Sequence, residues 1–223
     1  TRTMTPDQRR PRPDVAASHA DRGRTEANRW REVVDTSARL FYEQGYECTS
    51  IADIARSLAI TRGTLYHYIN SKEDLLHAAI DELHAITTNT LTTHLAGEGD
   101  PLDLLWRYFA GHVRLNLEHL HAATLVYRDL HHLSPARRQG IVETRDRLQD
   151  YVRGLLAAGV EQGLVDPKID VRLTSNHMFG AANDVYRWFQ PDGDRSSTEI
   201  AESVATFVVR GVTARTWTSP TVA

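Results

Sequence analysis

Apolar residues recur three to four positions apart along most of the chain, the spacing that places them on one face of an α-helix. No stretch of any length alternates apolar and polar residues as a half-buried strand would. We therefore predict an all-α fold with about nine helices. The pattern places them near residues 26–44, 51–58, 61–69, 71–95, 101–120, 121–133, 135–161, 171–189 and 198–213.

Two of the predicted helices are short and lie almost end to end. Ser50 precedes the first of them, and Asp53 follows at its third position, which is the pattern of a capping box. Thr61 is the N-cap candidate for the second helix. Only Ala59 and Ile60 link the two helices, and so tight a link forces them to cross steeply, as in a helix-turn-helix.

The domain boundaries follow from these elements. Residues 1–24 are rich in Pro, Arg and Asp and lack apolar periodicity, so we predict a disordered basic arm. The arm either adds phosphate contacts or is simply a tail. Residues 25–72 are predicted to form a three-helix helix-turn-helix domain, residues 73–215 a larger helical body, and residues 216–223 a tail.

The second short helix presents a polar and aromatic outward face. In a helix-turn-helix this helix fits the major groove, about 12 Å wide, with its N-terminal residues at base edges. Gly63 costs about 1 kcal/mol of helix propensity relative to Ala, but lets the backbone approach a phosphate or a base edge. Spacing alone leaves an alternative open, a helical hairpin packed against a bundle with half-buried aromatics. The residues of this face are Arg62, Gly63, Thr64, Tyr66, His67 and Tyr68.

A longer motif surrounds these helices: a threonine, an Ile-Ala pair, a short turn, a capping hydroxyl, a glycine, Tyr-x-Tyr and Lys-Glu-x-Leu. Its residues are Thr49, Ile54, Ala55, Thr61, Gly63, Tyr66, Tyr68, Lys72, Glu73 and Leu75. The motif resembles the DNA-binding signature of TetR-family transcriptional regulators. Ala59 departs from the family pattern, which usually has glycine there, and Thr61 stands where serine is commoner.

That resemblance implies a transcriptional repressor that binds a pseudo-palindromic double-stranded DNA operator as a homodimer. Two reading heads would lie about 34–36 Å apart, or a multiple of that distance. The side chains expected to face the major groove are those of Thr61, Arg62, Thr64, Tyr66, His67 and Tyr68. Thr49 and Lys72 are expected to contact phosphates, which position a protein on DNA without reading its sequence.

Composition and charge fit this prediction without proving it. The chain is 41% hydrophobic and 25% charged, as is ordinary for a soluble globular protein, and its net charge of -3 does not indicate nucleic acid. The first 31 residues hold eight arginines against four acids, which suits local DNA contacts. Cys48 is the only cysteine, and no secretory leader or membrane-length apolar run is present, so we expect a cytoplasmic protein with no membrane partner.

Polar residues interrupt the apolar faces of the body helices. His112 and Asn116 share a face of one helix, Tyr127 and Arg128 lie on a shorter one, and Arg145 breaks the stripe of another. Buried polar groups cost roughly 1–3 kcal/mol each when unpaired, so they satisfy one another or meet a ligand. Each residue taken singly fits a surface or satisfied position better, but the set favours a pocket between helices.

The body also resembles TetR-family repressors that respond to acyl-CoA or steroid-derived CoA thioesters, in the segments 100–102, 126–129, 159–163 and 187–191. This resemblance implies a CoA-thioester effector, and a drug-like or other apolar effector is the alternative. An effector in the body is expected to lower DNA affinity through the long helix at 71–95. The predicted ligand-binding residues are Trp106, Phe109, His112, Asn116, Tyr127, Arg128, Arg145, Met178 and Val185.

The last two helices, at 171–189 and 198–213, are expected to pair with their copies in a four-helix dimer interface. Small residues allow close helix approach, and apolar ones supply contact area. The predicted interface residues are Gly180, Ala181, Val204, Phe207 and Val208.

Three other classes of protein are less consistent with the sequence. Eleven histidines are present, but none makes a ligand pair at helical spacing with a third partner, so we expect no metal and no cofactor. The chain has no glycine-rich phosphate loop, no His-Glu-x-x-His and no nucleophile elbow, so we do not expect an enzyme. A purely structural helical adaptor would bind a protein, instead of DNA, with the face around His67.

Overall fold

The computed structural model describes residues 15–95 and 99–214, with only the backbone described for residues 15–25 and 91–95. These residues form nine α-helices: α1 (Val15–Gln44), α2 (Ile51–Ser57), α3 (Arg62–Tyr66), α4 (Lys72–Leu95), α5 (Pro101–Glu118), α6 (Leu120–Arg128), α7 (Pro135–Glu161), α8 (Val171–Asn183) and α9 (Ser197–Val212). Short 3₁₀ turns follow α6, at Leu130–His132, and α8, at Asp184–Arg187. Within these described ranges there is no strand, only an isolated bridge between Val165 and Thr213. The predicted all-α fold is confirmed.

Helix α1 begins earlier than the sequence pattern indicated. The predicted disordered arm ran to residue 24, but residues 15–24 are helical and continue into the first helix of the helix-turn-helix domain. The prediction extended the proline-rich composition of residues 1–13 too far, since no proline follows Pro13 in this stretch and alanine, a strong helix former, occurs three times between 15 and 24. Residues 1–14 of the arm and the predicted tail at 216–223 lie outside the described residues.

The buried apolar side chains form two clusters. The first unites α1 to α4 with α6, through residues such as Phe41, Ile54, Leu76 and Leu125. The second unites α5, α7, α8 and α9 around residues that include Phe109. Helix α6 therefore belongs to the core of the DNA-binding end and packs directly against α1, although it lies within the predicted ligand-binding body.

The start of α4 is tied to α7 by charged groups. The Asp74 carboxylate accepts hydrogen bonds from the backbone N–H groups of Asn70, at 2.7 Å, and Ser71, at 2.9 Å, and from the Arg137 guanidinium. Glu73 accepts a hydrogen bond of 2.8 Å from the backbone N–H of Ser134, just before α7. These contacts fix the entry of the helix that joins the two ends of the molecule.

The end of α7 packs closely against the loop that follows it. A Cβ atom added to the buried Gly159 would lie 2.5 Å from Cγ2 of Val165, closer than any real Cβ contact. Gly163 ends the turn with a φ of +72°, a conformation that glycine adopts without strain. Two glycines therefore allow the chain to turn back here.

Candidate DNA-reading surface and effector cavity

Helix α2 begins with the predicted capping box. The hydroxyl of Ser50 accepts a hydrogen bond of 3.2 Å from the Asp53 N–H, and the Asp53 carboxylate accepts one of 3.0 Å from the Ser50 N–H. The Ser50 hydroxyl also donates to the Asp53 carboxylate. This bond and the one from the Ser50 N–H lower the pKa of Asp53, so the carboxylate stays charged at the positive end of the helix dipole. The α2 boundary thus follows from local sequence alone.

The turn between α2 and α3 places a non-glycine residue in the left-handed region. Ala59 has a φ of +53°, which explains why glycine is usual in this motif position. Thr61 then caps α3, since its hydroxyl accepts a hydrogen bond of 3.0 Å from the Thr64 N–H. The Thr61 and Thr64 hydroxyls also lie 2.9 Å apart.

The outward face of α3 is open to solvent. Tyr66 is 53% exposed, and Tyr68, just past the end of the helix, is half-buried against the N-terminal core. The exposed predicted residues are Thr61, Arg62, Gly63, Thr64, Tyr66 and His67. Their placement beside one another leaves the predicted major-groove face free to meet DNA.

Thr49 does not lie on this surface. Its side chain is 1% exposed, and its hydroxyl donates a hydrogen bond of 2.9 Å to the Gly45 carbonyl. The predicted phosphate contact of this hydroxyl is wrong, because Thr49 instead closes the turn that links α1 to α2.

Lys72 also has a different role from the predicted one. Its ammonium group donates hydrogen bonds to the carbonyls of Tyr46, at 2.7 Å, and Thr49, at 3.1 Å, and lies 3.4 Å from the Glu47 carbonyl. An ammonium group has three donors, and carbonyls of the turn occupy all three. The prediction that Lys72 contacts a phosphate is therefore wrong for this arrangement.

A cavity of about 50 Å³ lies among α4, α5, α6, α7 and α8. Apolar side chains and polar ones both contribute to its wall. The lining residues are Leu83, His84, Thr87, His112, Asn116, Val126, Tyr127, Arg145, Leu148, Gln149, Phe179 and Asn183. Four predicted ligand-binding residues, His112, Asn116, Tyr127 and Arg145, are brought together here.

Four polar side chains of the wall form one hydrogen-bonded group, which we call the polar quartet: His112, Asn116, Tyr127 and Asn183. The Tyr127 hydroxyl donates to Oδ1 of Asn183 at 2.8 Å and accepts from Nδ2 of Asn116 at 3.2 Å. Nε2 of His112 lies 2.8 Å from the same Asn183 oxygen. Burial raises the pKa of Tyr127 to about 12, so its hydroxyl remains protonated.

The sequence analysis did not predict several residues of the cavity wall. Asn183 ends α8, and no periodicity connects it with the α5 and α6 residues that it binds. His84 and Thr87 lie three positions apart on one face of α4, and this spacing could have predicted that they line the same wall. Burial, and next the nearby Arg145, lower the pKa of His84 to about 4, so this imidazole is neutral near pH 7.

Five predicted ligand-binding residues do not reach the cavity. Phe109, Met178 and Val185 are buried in the core formed by α5, α7, α8 and α9. Trp106 faces α9, where its Nε1 donates a hydrogen bond of 3.0 Å to the Thr206 hydroxyl. None of these four side chains lines the cavity, and their ligand contacts stay predictions. Trp106 and Phe109 precede His112 on an α5 face that packs against α8 and α9, and Met178 and Val185 lie in the same core.

Arg128 is the fifth of these residues, and it faces α1. Its guanidinium donates hydrogen bonds to the carbonyls of Phe41, at 2.6 Å, and Tyr42, at 3.3 Å, and pairs with Asp129 at 2.9 Å. The neighbouring residue Tyr127 lines the cavity. Consecutive residues of α6 thus contact the cavity and the end of the first DNA-binding helix.

Three large apolar side chains are exposed on α8, on α9 and just after the 3₁₀ turn that follows α8. Leu173 is 53% exposed, Trp188 54% and Phe207 71%. Of the predicted interface residues, Gly180 and Phe207 are exposed and Ala181 and Val204 half-buried. Val208 is 5% exposed and lies in the core, so its assignment to the interface is wrong: it occupies the inward face of α9.

Two other properties concern the class of protein. Within the described ranges, no helix is both long and apolar enough to cross a membrane. No group of three or more His, Cys, Asp or Glu side chains in the same part of the chain is arranged to hold a metal ion.

A capped helix-turn-helix with an open second helix, joined by α4 to a helical body around a cavity, defines a helix-turn-helix DNA-binding regulator. Comparison with known families agrees. A model of the bacterial regulatory proteins of the tetR family matches residues 33–79, and a model of the tetracyclin repressor-like C-terminal domain matches residues 98–212. The second match alone spans just over half of the chain, and the protein belongs to the TetR family.

Relatives cover most of the chain. The HTH-type transcriptional repressor KstR2 of Mycolicibacterium smegmatis is 28% identical over 189 residues, covering 84% of this chain and 92% of KstR2. A TetR/AcrR-family regulator from Thermobifida fusca is 30% identical with a TM-score of 0.64, covering 82% of this chain and 98% of its own. AibR, solved with isovaleryl coenzyme A and operator DNA, is 24% identical with a TM-score of 0.73, covering 80% and 97%.

Proposed function

We propose that this protein is a homodimeric transcriptional repressor whose affinity for its operator falls when a CoA thioester enters the cavity beside the polar quartet. The observation that carries the proposal is the pair of neighbours on α6. Tyr127 belongs to the cavity wall, and Arg128 holds the last carbonyls of α1. A ligand that displaces Tyr127 must move the contact that Arg128 makes with the DNA-binding end.

The DNA-reading face is the outward side of α3. Arg62, Tyr66 and His67 are exposed there and have the length to reach base edges in the major groove. Phosphate contacts come from other basic groups, since Lys72 is occupied by backbone carbonyls. Selectivity between operator and other DNA is assigned to the α3 face.

The effector class follows from the charge and polarity of the cavity. Arg145 lies at its solvent-exposed mouth and forms no ion pair with any residue that the structure describes, which suits an anionic group such as a CoA phosphate. Leu83, Val126 and Phe179 supply apolar wall for an acyl part. The relative AibR was solved with isovaleryl coenzyme A, and the repressor KstR2 supports the mode of regulation.

The cavity volume adds a condition. Pockets for drug-sized ligands measure roughly 300–1,000 Å³, well above the 50 Å³ enclosed here. An effector must therefore push wall side chains apart, and Tyr127 of the polar quartet is one that is not fully buried. A tenfold loss of DNA affinity requires only about 1.4 kcal/mol of coupling between the two sites.

Dimerisation is assigned to the α8 and α9 surface. Leu173 and Phe207 are large apolar side chains exposed on these two helices, and Trp188 is exposed in the segment between them. A matching surface on a second copy covers them through an isologous contact. Sedimentation at micromolar concentration should show a dimer, and Phe207→Ser should shift it towards monomer; a wild-type monomer contradicts this assignment.

The effector proposal is tested by DNA release. Operator sequences are first selected from a random double-stranded pool, and fluorescence anisotropy then follows release by acyl- and steroid-CoA thioesters, the matching free acids and cationic drugs. Thioesters are expected to release the DNA. Arg145→Gln should weaken that release by about tenfold, whereas Arg147→Gln, on the same helix but outside the cavity wall, should not.

Two results contradict the proposal. Release by a cationic or apolar drug and by no thioester assigns the cavity to the alternative effector class. Release by no compound rejects a ligand-gated repressor.

A further inference from the structure

One polar atom of a residue that lines the cavity has no hydrogen-bond partner among the described residues. It is Nδ1 of His112, which is fully buried. The His112 residue is 7% exposed and lines the cavity. Native proteins rarely leave a buried polar atom unpaired, because the atom has lost its water and gained nothing in return. Nδ1 is therefore a candidate contact for a bound ligand.

The partner of the other ring nitrogen decides what Nδ1 can bind. Nε2 of His112 lies 2.8 Å from Oδ1 of Asn183, and an amide oxygen only accepts hydrogen bonds. Nε2 therefore carries the ring proton and donates it to Asn183. Nδ2 of Asn116 lies 3.2 Å from Nε2 and 3.2 Å from the Tyr127 hydroxyl, to which it donates. The contact of Nε2 with Asn183 is the shorter one, and it decides which ring nitrogen carries the proton. A neutral imidazole has a single N–H, so Nδ1 is a bare acceptor.

The surroundings keep the ring neutral and in this orientation. Burial lowers the pKa of His112 below its ordinary value, against the smaller opposing effect of the hydrogen bond to Asn183. The ring stacks on Tyr108 at 5.9 Å between centroids and meets the edge of Phe179 at 5.8 Å. A flip of the ring about the Cβ–Cγ bond would put Cε1 in the place of Nε2 and break the bond to Asn183. The acceptor at Nδ1 is therefore held in one orientation.

We infer that His112 selects effectors whose acyl part carries a hydroxyl group, and that this hydroxyl donates a hydrogen bond to Nδ1. The inference rests on the proposed effector site, where an effector must push wall side chains apart and thereby reaches the buried Nδ1. Thioester and ketone carbonyls only accept hydrogen bonds, so they do not pair with Nδ1. The charged end of a thioester belongs with Arg145 at the exposed mouth, which leaves the acyl part to reach the buried His112. A methyl-ended chain leaves Nδ1 unpaired.

The test compares three matched series of CoA thioesters, from hexanoyl to dodecanoyl. The chains end in a methyl group, a hydroxyl group or a methyl ketone, and calorimetry measures binding to the full-length protein while anisotropy measures release of the selected DNA. At the chain length that reaches Nδ1, the hydroxyl-ended thioester should bind about tenfold more tightly than its methyl-ended and keto counterparts.

Two variants separate the role of Nδ1 from cavity polarity in general. His112→Phe keeps a ring of similar size beside Tyr108 and Phe179 but has no acceptor, so the hydroxyl preference should disappear. Thr87→Val removes another polar group of the same wall with little change in volume, and the preference should remain. A preference that survives in His112→Phe overturns the inference.

Nitrogen NMR of the wild-type protein provides a readout that does not depend on the variant folding. The His112 resonances, assigned by comparison with the other histidines, should show a protonated Nε2 and a bare Nδ1. The Nδ1 resonance should move when the hydroxyl-ended thioester binds. A protonated Nδ1 in the free protein overturns the inference.

The outcomes also separate this inference from the proposed function. Equal binding of methyl-ended and hydroxyl-ended thioesters at every length, with DNA release by both, leaves the proposed function intact and refutes the role of His112. Failure of every thioester to bind refutes the proposed effector class, and this inference falls with it.

Discussion

Lys72 contacts both the backbone and the ring of Tyr46. Its ammonium group donates a hydrogen bond of 2.7 Å to the Tyr46 carbonyl and lies 4.2 Å from the centre of the Tyr46 ring. The same group donates to the Thr49 carbonyl at 3.1 Å. The first residue of α4 thereby holds the turn between α1 and α2. Its charge serves the fold of the DNA-binding end and is not directed at DNA.

The first prediction concerns Lys72. Lys72→Met should lower the free energy of unfolding by about 1–3 kcal/mol, because buried carbonyls lose charged donors. The salt dependence of DNA binding should keep its slope, since no phosphate contact is removed. Urea denaturation and salt titrations measure the two effects. Arg62→Ala is the contrasting variant, expected to keep stability and lose selectivity for the selected DNA. If the slope of the salt dependence fell by about one in Lys72→Met, Lys72 would contact a phosphate and this prediction would be wrong.

The second prediction concerns Arg128 and the coupling of the two sites. Arg128→Met removes the hydrogen bonds to the Phe41 and Tyr42 carbonyls but leaves the cavity wall intact. The effector should bind with nearly unchanged affinity, while the ratio of DNA affinities without and with effector should fall by about tenfold. Arg114→Met serves as control, because this exposed α5 residue pairs with Glu118 on its own helix, at 4.0 Å. An unchanged ratio in Arg128→Met refutes transmission through this residue.

The third prediction concerns the turn of the helix-turn-helix. Ala59 has a φ of +53°, so Ala59→Gly should raise the free energy of unfolding by about 1 kcal/mol through relief of the left-handed strain. Ala157→Gly, at an exposed position inside α7, should lower it by a similar amount. Urea denaturation of both variants gives the comparison. Loss of stability in both would show that Ala59 is not strained.

The fourth prediction concerns the tight end of α7. Gly159→Ala forces a methyl group against the buried Val165 and should lower the free energy of unfolding by about 1–3 kcal/mol. Gly154→Ala on the same helix has open space around the new methyl group and should raise it by about 1 kcal/mol. Thermal and urea denaturation measure both. An equal increase in the free energy of unfolding of both variants would mean that the loop around Val165 moves away from the new methyl group at no cost.

The fifth prediction concerns the pH dependence of stability through Asp74. Burial alone would raise the pKa of this carboxyl, but hydrogen bonds from Arg137 and from the N–H groups of Asn70 and Ser71 outweigh it and lower the pKa to about 2. The stabilisation is therefore fully present above the unfolded value near 3.8 and is lost as pH falls towards 2.

Asp74→Asn measures that contribution. Between pH 4 and pH 2, the wild-type protein should lose about 1–2 kcal/mol more unfolding free energy than the variant. Above pH 5 the difference between the two proteins should be constant, since Asp74 is ionised in both the folded and the unfolded state. Parallel stability curves throughout the acid range would mean that Asp74 titrates normally.

The sequence by itself determined the helices and their caps. The Ser50 and Asp53 capping box, the Thr61 cap and the apolar stripes depend on contacts three or four residues apart, and these are written in local order. For the same reason the open face of α3 was predictable from its spacing. His112 and Asn116 were also predictable as one wall, because positions four apart share a helix face.

Only the tertiary structure decided which distant groups meet. Asn183 completes the polar quartet from another helix, and Lys72 reaches Tyr46 across 26 positions. Arg128 turned to α1 and Trp106 to α9, although both lie among residues that looked suited to a ligand. Helix periodicity states which residues share a face, but the neighbour of that face depends on how the helices cross, and that angle is set by packing of the whole core.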